Sequence, residues 1–336
     1  MKSYILFKFT FLFCIYFMFF VVFFLTDLSE SADFDNYQNW FHAVTAYNDT
    51  YFLYKDPLYA FLSVAAAKIG LQVDSVIYAL VFISLTSKVF YSASLGFSVS
   101  IIFLWLYFCR FFFVHDLIQF RIAAASGFAL LFFYYFFRGK KNVSYMFFSL
   151  AILIHLSSIL YIVIIPIVNH VKSKQLSASV FFSSCLMILL SLVFGDWTEL
   201  FIQFFGNLPI IGDRIAPYLS GLYKFEALSL INSYLIFKLL LFLVFVILVC
   251  HHDKPIKTNL FDFQLVVFYL SMFGTTLFLL FRWNDSLALR FSDAFGIFDI
   301  LFMSMFPMIF EKKLSYIVYF FVFIVGFAFL YSSLRV

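Results

Sequence analysis

A chain of 336 residues that is 65% hydrophobic and only 12% charged lies far outside the composition of soluble domains, which excludes a water-soluble globular enzyme. Its net charge of +4 carries no nucleic-acid-binding pattern, and in such a chain the distribution of charge is more informative than the total. Cys14, Cys109, Cys185 and Cys250 stand far apart in or at the ends of apolar runs, so neither a disulfide framework nor a metal site is indicated.

The first run, Tyr4 to Thr26, is long enough to span, since about 20 apolar residues cross a bilayer core. It is expected to be retained, because a cleavable signal has a shorter apolar region and Glu30 sits just ahead of the small residue Ala32. Lys2 and Lys8 hold its start in the cytoplasm. Segment 27–56 carries Asp27, Glu30, Asp33, Asp35, Asp49 and Asp56 against Lys55 alone, so it should face outward. Apolar runs then recur at 57–70, 74–90, 97–114, 118–137, 143–168, 176–194, 230–250, 260–281, 291–310 and 314–333. All read as helices, because lipid offers the backbone no other hydrogen-bonding partner than itself. A second long polar segment covers 195–229. The expected fold is all-α: one polytopic integral membrane domain over 1–336, with about nine to eleven transmembrane or re-entrant helices.

Basic clusters at Arg138/Lys140/Lys141, Lys172/Lys174, Lys254/Lys257 and Lys312/Lys313 mark the cytoplasmic side. Counting every run as a span leaves both Lys88 and the Arg138 cluster outside. If 57–70, short and opened by Pro57, is re-entrant, and 143–168 dips in and returns around His155, every basic cluster lies inside. Segment 195–229 is external in either arrangement.

Within the apolar run from Ile118 to Phe137 stands Arg121, at a cost of about 2.5 to 3.5 kcal/mol for a cation at mid-helix. Such an arginine faces a polar cavity or an anionic partner, or it is structural and pairs with Asp116 or helix-end carbonyls. His155 lies within another apolar run, where it either serves as a proton acceptor or bonds a neighbouring helix through Ser157 or Ser158. Asp35, close to Tyr37 and Trp40, is the competing base, since a carboxylate beside aromatic rings suits sugar chemistry. Asp33 and Asp35 also have the spacing of a metal-binding carboxylate pair, a match common by chance in an acidic loop. Asp56 precedes Pro57 and so ends the external segment at a helix start, where it can orient Arg121 or a sugar hydroxyl. Arg290 has Asp293 one turn later and is either neutralised by it or available to a ligand. Arg214, in the second external segment with Asp213 beside it and Tyr218 following, is a loop candidate with a solvated surface charge as the alternative.

Several patterns occur in order: Asp35-Asn-Tyr37, Asp56-Pro-Leu-Tyr59, Phe120-Arg-Ile-Ala-Ala-Ala125, Leu150-Ala-Ile-Leu-Ile-His-Leu-Ser-Ser158 and Arg290-Phe-Ser-Asp-Ala-Phe295. From about Asp33 to Pro307 the chain resembles the EpsG family of exopolysaccharide and O-antigen polymerases, the Wzy-like proteins. That family shows an external acidic-x-Tyr, a Glu-Pro-Gly-aromatic turn, an Arg-Gln-x-x-Ala helix, an Ala-x-x-x-His-x-Ser helix and a late Arg-x-x-x-Tyr helix. Here Asp56 replaces the usual Glu, Leu58 the Gly, Ile122 the Gln, and Ala294 falls where an aromatic is common. Ile122 removes a polar neighbour expected to help Arg121 hold its ligand.

The resemblance implies a multi-pass protein of the bacterial inner membrane that moves a growing glycan from undecaprenyl diphosphate onto a lipid-linked repeat unit at the periplasmic face. It calls for no nucleotide sugar, cofactor or metal, and admits a chain-length regulator as a partner besides the lipid bilayer. Arg121, with Arg290, Arg214, Asp56 and Tyr37, would then contact diphosphate or glycan, because a planar guanidinium pairs with phosphate oxygens. His155 or Asp35 would take the acceptor proton. A lipid-linked oligosaccharide flippase is the main alternative, although no internal two-fold repetition of helices is visible. A sugar-decorating acyltransferase would need a His-acid pair, and His155 has no acid neighbour in sequence.

Overall fold

The computed structural model describes residues 2–31, 33–46, 56–172, 233–250, 259–282 and 284–333. The described helices are α1 (Lys2–Leu25), α2 (Phe34–Ala46), α3 (Pro57–Lys68), α4 (Val73–Ala93), α5 (Phe97–Tyr107), α6 (Phe120–Phe137), α7 (Lys141–Ile154), α8 (Ile164–Lys172), α9 (Ser233–Cys250), α10 (Asn259–Leu280), α11 (Asp285–Met305) and α12 (Lys312–Ser333). Beyond Tyr107 the helix continues to Asp116 with its hydrogen bonds widened to the π pattern, and a 3₁₀ stretch links α7 to α8 over Leu156–Val163. Among the described residues there is no strand, and seven helical stretches are long and apolar enough to cross a bilayer. The chain is an all-α polytopic membrane protein.

Two compact units form: residues 1–164 with 303–336, and residues 165–302. In the first unit the direction of each helix follows from its side-chain partners. Lys8 Nζ donates to Ala93 O (2.8 Å) and Leu95 O (2.5 Å), Tyr16 meets Thr86 (2.9 Å), and the Phe23 and Tyr78 rings touch at 5.6 Å. Helices α1 and α4 are therefore antiparallel, and the chain leaves α1 and enters α4 at the same end. Between them α3, at about 1.5 Å per residue, is roughly 18 Å long against a core of roughly 30 Å. It makes no net crossing, as the short run opened by Pro57 leads one to expect.

Helix α5 runs with α1, since Phe7 packs on Phe97 at 5.7 Å and Phe19 on Phe112 at 5.2 Å. Helix α6 runs with α4, because Gly127 lies against Ser84 and Ser87 while Tyr91 meets Tyr134 at 6.1 Å. Helix α7 returns along α6, with Phe132 on Phe148 at 4.8 Å and Ser144 Oγ donating to Phe132 O at 3.0 Å. The reversal is made at Gly139, whose φ of +79° suits a residue without Cβ, and Lys140 N closes the turn on Tyr135 O. Helix α12 runs with α5: Trp105 Nε1 donates to Phe323 O at 2.9 Å, Ser333 Oγ to Cys109 O at 3.0 Å, and Gly326 lies under the indole.

One end of this unit thus collects the starts of α1 and α12 and the Arg138/Lys140/Lys141 turn. The other collects residues 26–31, 33–46 and 56–72, the start of α6 and the end of α7. Two basic clusters therefore lie opposite the acidic segment. Accessible-cysteine labelling is expected to report position 140 and position 312 on one side of the membrane and position 30 on the other; agreement of all three would reject this arrangement.

Lys88, left outside when every apolar run is counted as a span, is 1% exposed and lies within α4, so it carries no information about sidedness. Within segment 27–56, residues Phe34–Ala46 form the helix α2 and not an irregular polar loop. Arg214, segment 195–229 and the run 176–194 lie outside the described residues.

The α4–α6 seam depends on small residues, as helix contacts in lipid generally do. A Cβ at Gly127 would come within 2.8 Å of Ser87 Oγ and 3.3 Å of Ser84 O. Gly127→Leu should cost about 1–3 kcal/mol by overpacking, read as a lower unfolding midpoint in detergent. Ser87→Gly in the same protein should recover part of the loss.

Candidate functional site

Helix α2 carries Tyr37 and Trp40 three residues apart, hence on one face. Asp35 is two residues from Tyr37, about 200° around the helix at roughly 100° per residue, and it is exposed. Pro57 opens α3, and Asp56 immediately before it makes no capping bond with its side chain. That carboxylate turns instead toward the first turn of α6.

There Arg121 Nη1 forms an ion pair with Asp56 Oδ2. The Tyr37 hydroxyl accepts from Arg121 Nε at 3.4 Å and from its backbone N–H at 3.3 Å. The guanidinium lies 3.8 Å from the Trp40 ring centre, with Tyr37 and Tyr59 at 5.1 and 5.7 Å. Tyr59 in turn donates to Tyr37 O at 2.9 Å. Arg121 is the second residue of α6 and so stands at the end of the helix, not in its middle, where the full cost of a central cation would apply. Desolvated cation–π contacts, worth up to about 2 kcal/mol each, and the acid hold the guanidinium there. Burial pushes the Tyr37 hydroxyl above the usual phenol range while Arg121 pulls the other way, so Tyr37 serves as a neutral acceptor. Arg121 keeps 13% of its side chain exposed, and among the described residues its Nη2 makes no hydrogen bond.

His155 does not lie within a helix. Its backbone is extended, with φ −150° and ψ 113°, and α7 ends one residue before it. The break brings the imidazole beside the same acid: Asp56 Oδ1 is 3.6 Å from His155 Nδ1, an ion-pair distance longer than a hydrogen bond, and 3.4 Å from Leu156 N. His155 is 19% exposed and Asp56 3%. The acid neighbour missing from the local sequence is thus supplied from the start of α3.

Asp56, Arg121, Tyr37 and His155 therefore form one group, on four elements, at the end of the unit that carries α2 and the start of α3. Asp35 lies outside it, and no described hydrogen bond or ion pair joins the two. The Tyr37 ring is packed among Trp40, Tyr59 and Phe120, so its contribution is to hold Arg121 through its hydroxyl. Arg290 belongs to the second unit, near the start of α11 and one turn before Asp293, and is exposed. Among the described residues no group of three His, Cys, Asp or Glu side chains gathers that could hold a metal ion.

The model of the EpsG family matches residues 10–336, nearly the whole chain. The chain belongs to the EpsG family. No curated protein and no solved structure matches it. Membership associates this EpsG-family chain with polymerase-like proteins of polysaccharide biosynthesis in a membrane.

The remaining buried charges of this EpsG protein form two further pairs, of which Lys238 and Asp299 were not singled out in sequence. Asp116, weighed above as the partner of Arg121, is engaged elsewhere: it bonds the Tyr107 hydroxyl and lies 3.8 Å from Lys88 Nζ, which also donates to Ser84 Oγ and, at 2.9 Å, to Ala123 O. In the second unit Asp299 accepts from Lys238 at 2.6 Å, Tyr234 at 2.9 Å and Ser271 at 2.5 Å. Lys238 and Asp299 are each interruptions of an apolar run, the same signal that draws attention to Arg121.

Proposed function

We propose that this protein is an O-antigen or exopolysaccharide polymerase that transfers a growing glycan from undecaprenyl diphosphate onto a lipid-linked repeat unit. The observation that carries this reading is the part-exposed guanidinium of Arg121, held at the rim of a membrane bundle by an acid and three aromatic rings, with His155 across the same carboxylate. A lipid diphosphate is an anion tethered at that depth. Arg121 Nη2 offers it donors, and a cation aimed at the leaving diphosphate favours the transition state over the ground state. His155 accepts the proton of the attacking sugar hydroxyl.

Asp35 is the alternative base, and Arg290 and Arg214 are proposed as further contacts for glycan or diphosphate. The site is taken to face the periplasm of a bacterial inner membrane, because the acidic segment beside it lies opposite two basic clusters. Membership of the EpsG family supports the class of reaction.

Purified protein in nanodiscs, supplied with undecaprenyl-diphosphate-linked repeat units, should produce a ladder of chain lengths on a gel. Unextended units after prolonged incubation would reject the polymerase. A flippase would instead move labelled units between leaflets of a vesicle without lengthening them.

A further inference from the structure

Asp56 is buried beside two part-exposed groups, with one carboxylate oxygen paired to Arg121 and the other turned toward His155 at a distance beyond hydrogen-bond reach. Oδ2 pairs with Arg121, while Oδ1 faces His155 Nδ1 at 3.6 Å and Leu156 N at 3.4 Å. The acid sits at an N-cap position yet leaves its own helix start uncapped to do so. His155 owes its place to a break in a helical run, since extended backbone at this residue points the imidazole where a continuous helix would not. Both features cost local backbone hydrogen bonding, and both converge on the same contact.

From this geometry we propose that Asp56 is a positioning residue for His155: it holds the proton of the neutral imidazole on Nδ1, leaving Nε2 as the proton acceptor. The inference rests on the polymerase reading and deepens it. In the step concerned, the acceptor hydroxyl oxygen bonds to the anomeric carbon of the donor glycan as its proton passes to His155 Nε2. The bond from that carbon to the diphosphate oxygen breaks, and its electron pair leaves on undecaprenyl diphosphate. His155 then returns the proton to water. Because Asp56 is shared, an anion that binds Arg121 competes with Asp56 for the guanidinium and frees the carboxylate's charge for the imidazole. Arrival of the donor lipid and orientation of the base are therefore coupled through one side chain.

The coupling separates binding from turnover. In the nanodisc assay Asp56→Asn should lower kcat roughly 100-fold, within the range that general acid–base catalysis supplies. Binding of undecaprenyl diphosphate alone should be unchanged or tighter, since the competing carboxylate is gone. Asp56→Glu should stay within a few-fold of wild type, and Asp56→Asn/His155→Ala should be no slower than His155→Ala alone, because the two act as a unit. Loss of undecaprenyl diphosphate binding in a folded Asp56→Asn protein, or an unchanged kcat, would overturn the inference and reduce Asp56 to a brace for Arg121. A wild-type protein that makes no ladder rejects the polymerase reading, and this inference with it. Should Asp56→Asn not fold, the wild type decides: with ¹⁵N-labelled histidine, the neutral imidazole signal lost in His155→Ala should report a protonated Nδ1. A proton on Nε2 instead overturns the proposal.

Discussion

Arg121→Lys is expected to lower chain extension by about 100-fold or more while the protein still inserts and folds, a loss typical of removing one preorganised donor from a reacting oxyanion. Lysine keeps the charge, so Asp56 is not left alone in a buried site. It cannot keep the rest. An ammonium is a point charge on a flexible stem; it cannot lie flat on Trp40, reach the Tyr37 hydroxyl and Asp56 with two edges, and still present a pair of donors to a diphosphate. Arg121→Ala is less informative, because breaking a buried pair by removing one partner costs about 3–5 kcal/mol and confounds folding with function. The measurement is the ladder assay beside an unfolding midpoint in the same detergent. Full activity in the lysine variant would return Arg121 to a structural role and leave the diphosphate without its proposed receptor.

Removing either Lys238 or Asp299 alone should destabilise the second unit by about 3–5 kcal/mol. Both side chains are at most 3% exposed, so the survivor keeps its charge in a medium that cannot solvate it. Lys238→Met leaves Asp299 with the hydroxyls of Tyr234 and Ser271 but without its counter-ion. Asp299→Asn keeps an acceptor for those hydroxyls and removes the carboxylate paired with Lys238. The double variant removes both charges and retains the acceptor, so it should recover most of the loss, in keeping with the small net worth of buried pairs. Monodispersity on size exclusion and the thermal midpoint report this directly. Single variants as stable as wild type would mean that water reaches the pair.

The helices are legible in the sequence because apolar runs at membrane length leave the backbone one solution. Their ends were less legible: α11 begins at Asp285, ahead of the apolar run at 291, and the run containing His155 is interrupted by one extended residue. Arg121 announced itself by position, and Asp56 by its place before Pro57. That Asp56 serves both Arg121 and His155 was not visible, because the contacts span 65 residues of sequence to Arg121 and 100 to Leu156. Proximity in sequence made Asp116 the obvious candidate partner, but the π-widened end of the α5 helix turns it toward Lys88. Tyr37 and Trp40 were legible as a motif and not as a clamp, since only the fold decides what lies over a ring.

The first unit is not contiguous in sequence, and that bears on its biogenesis. Residues 303–336 complete a bundle whose other members all lie before Ile164. On a ribosome the early helices enter the bilayer with the Trp105 indole N–H and the Cys109 carbonyl still awaiting Phe323 and Ser333. At about 5–20 residues per second, the closing helix emerges on the order of ten seconds later. Until then the early helices are a bundle in lipid that lacks its closing helix, exposed to quality-control proteases, and the last helix acts as the latch that ends this vulnerable interval.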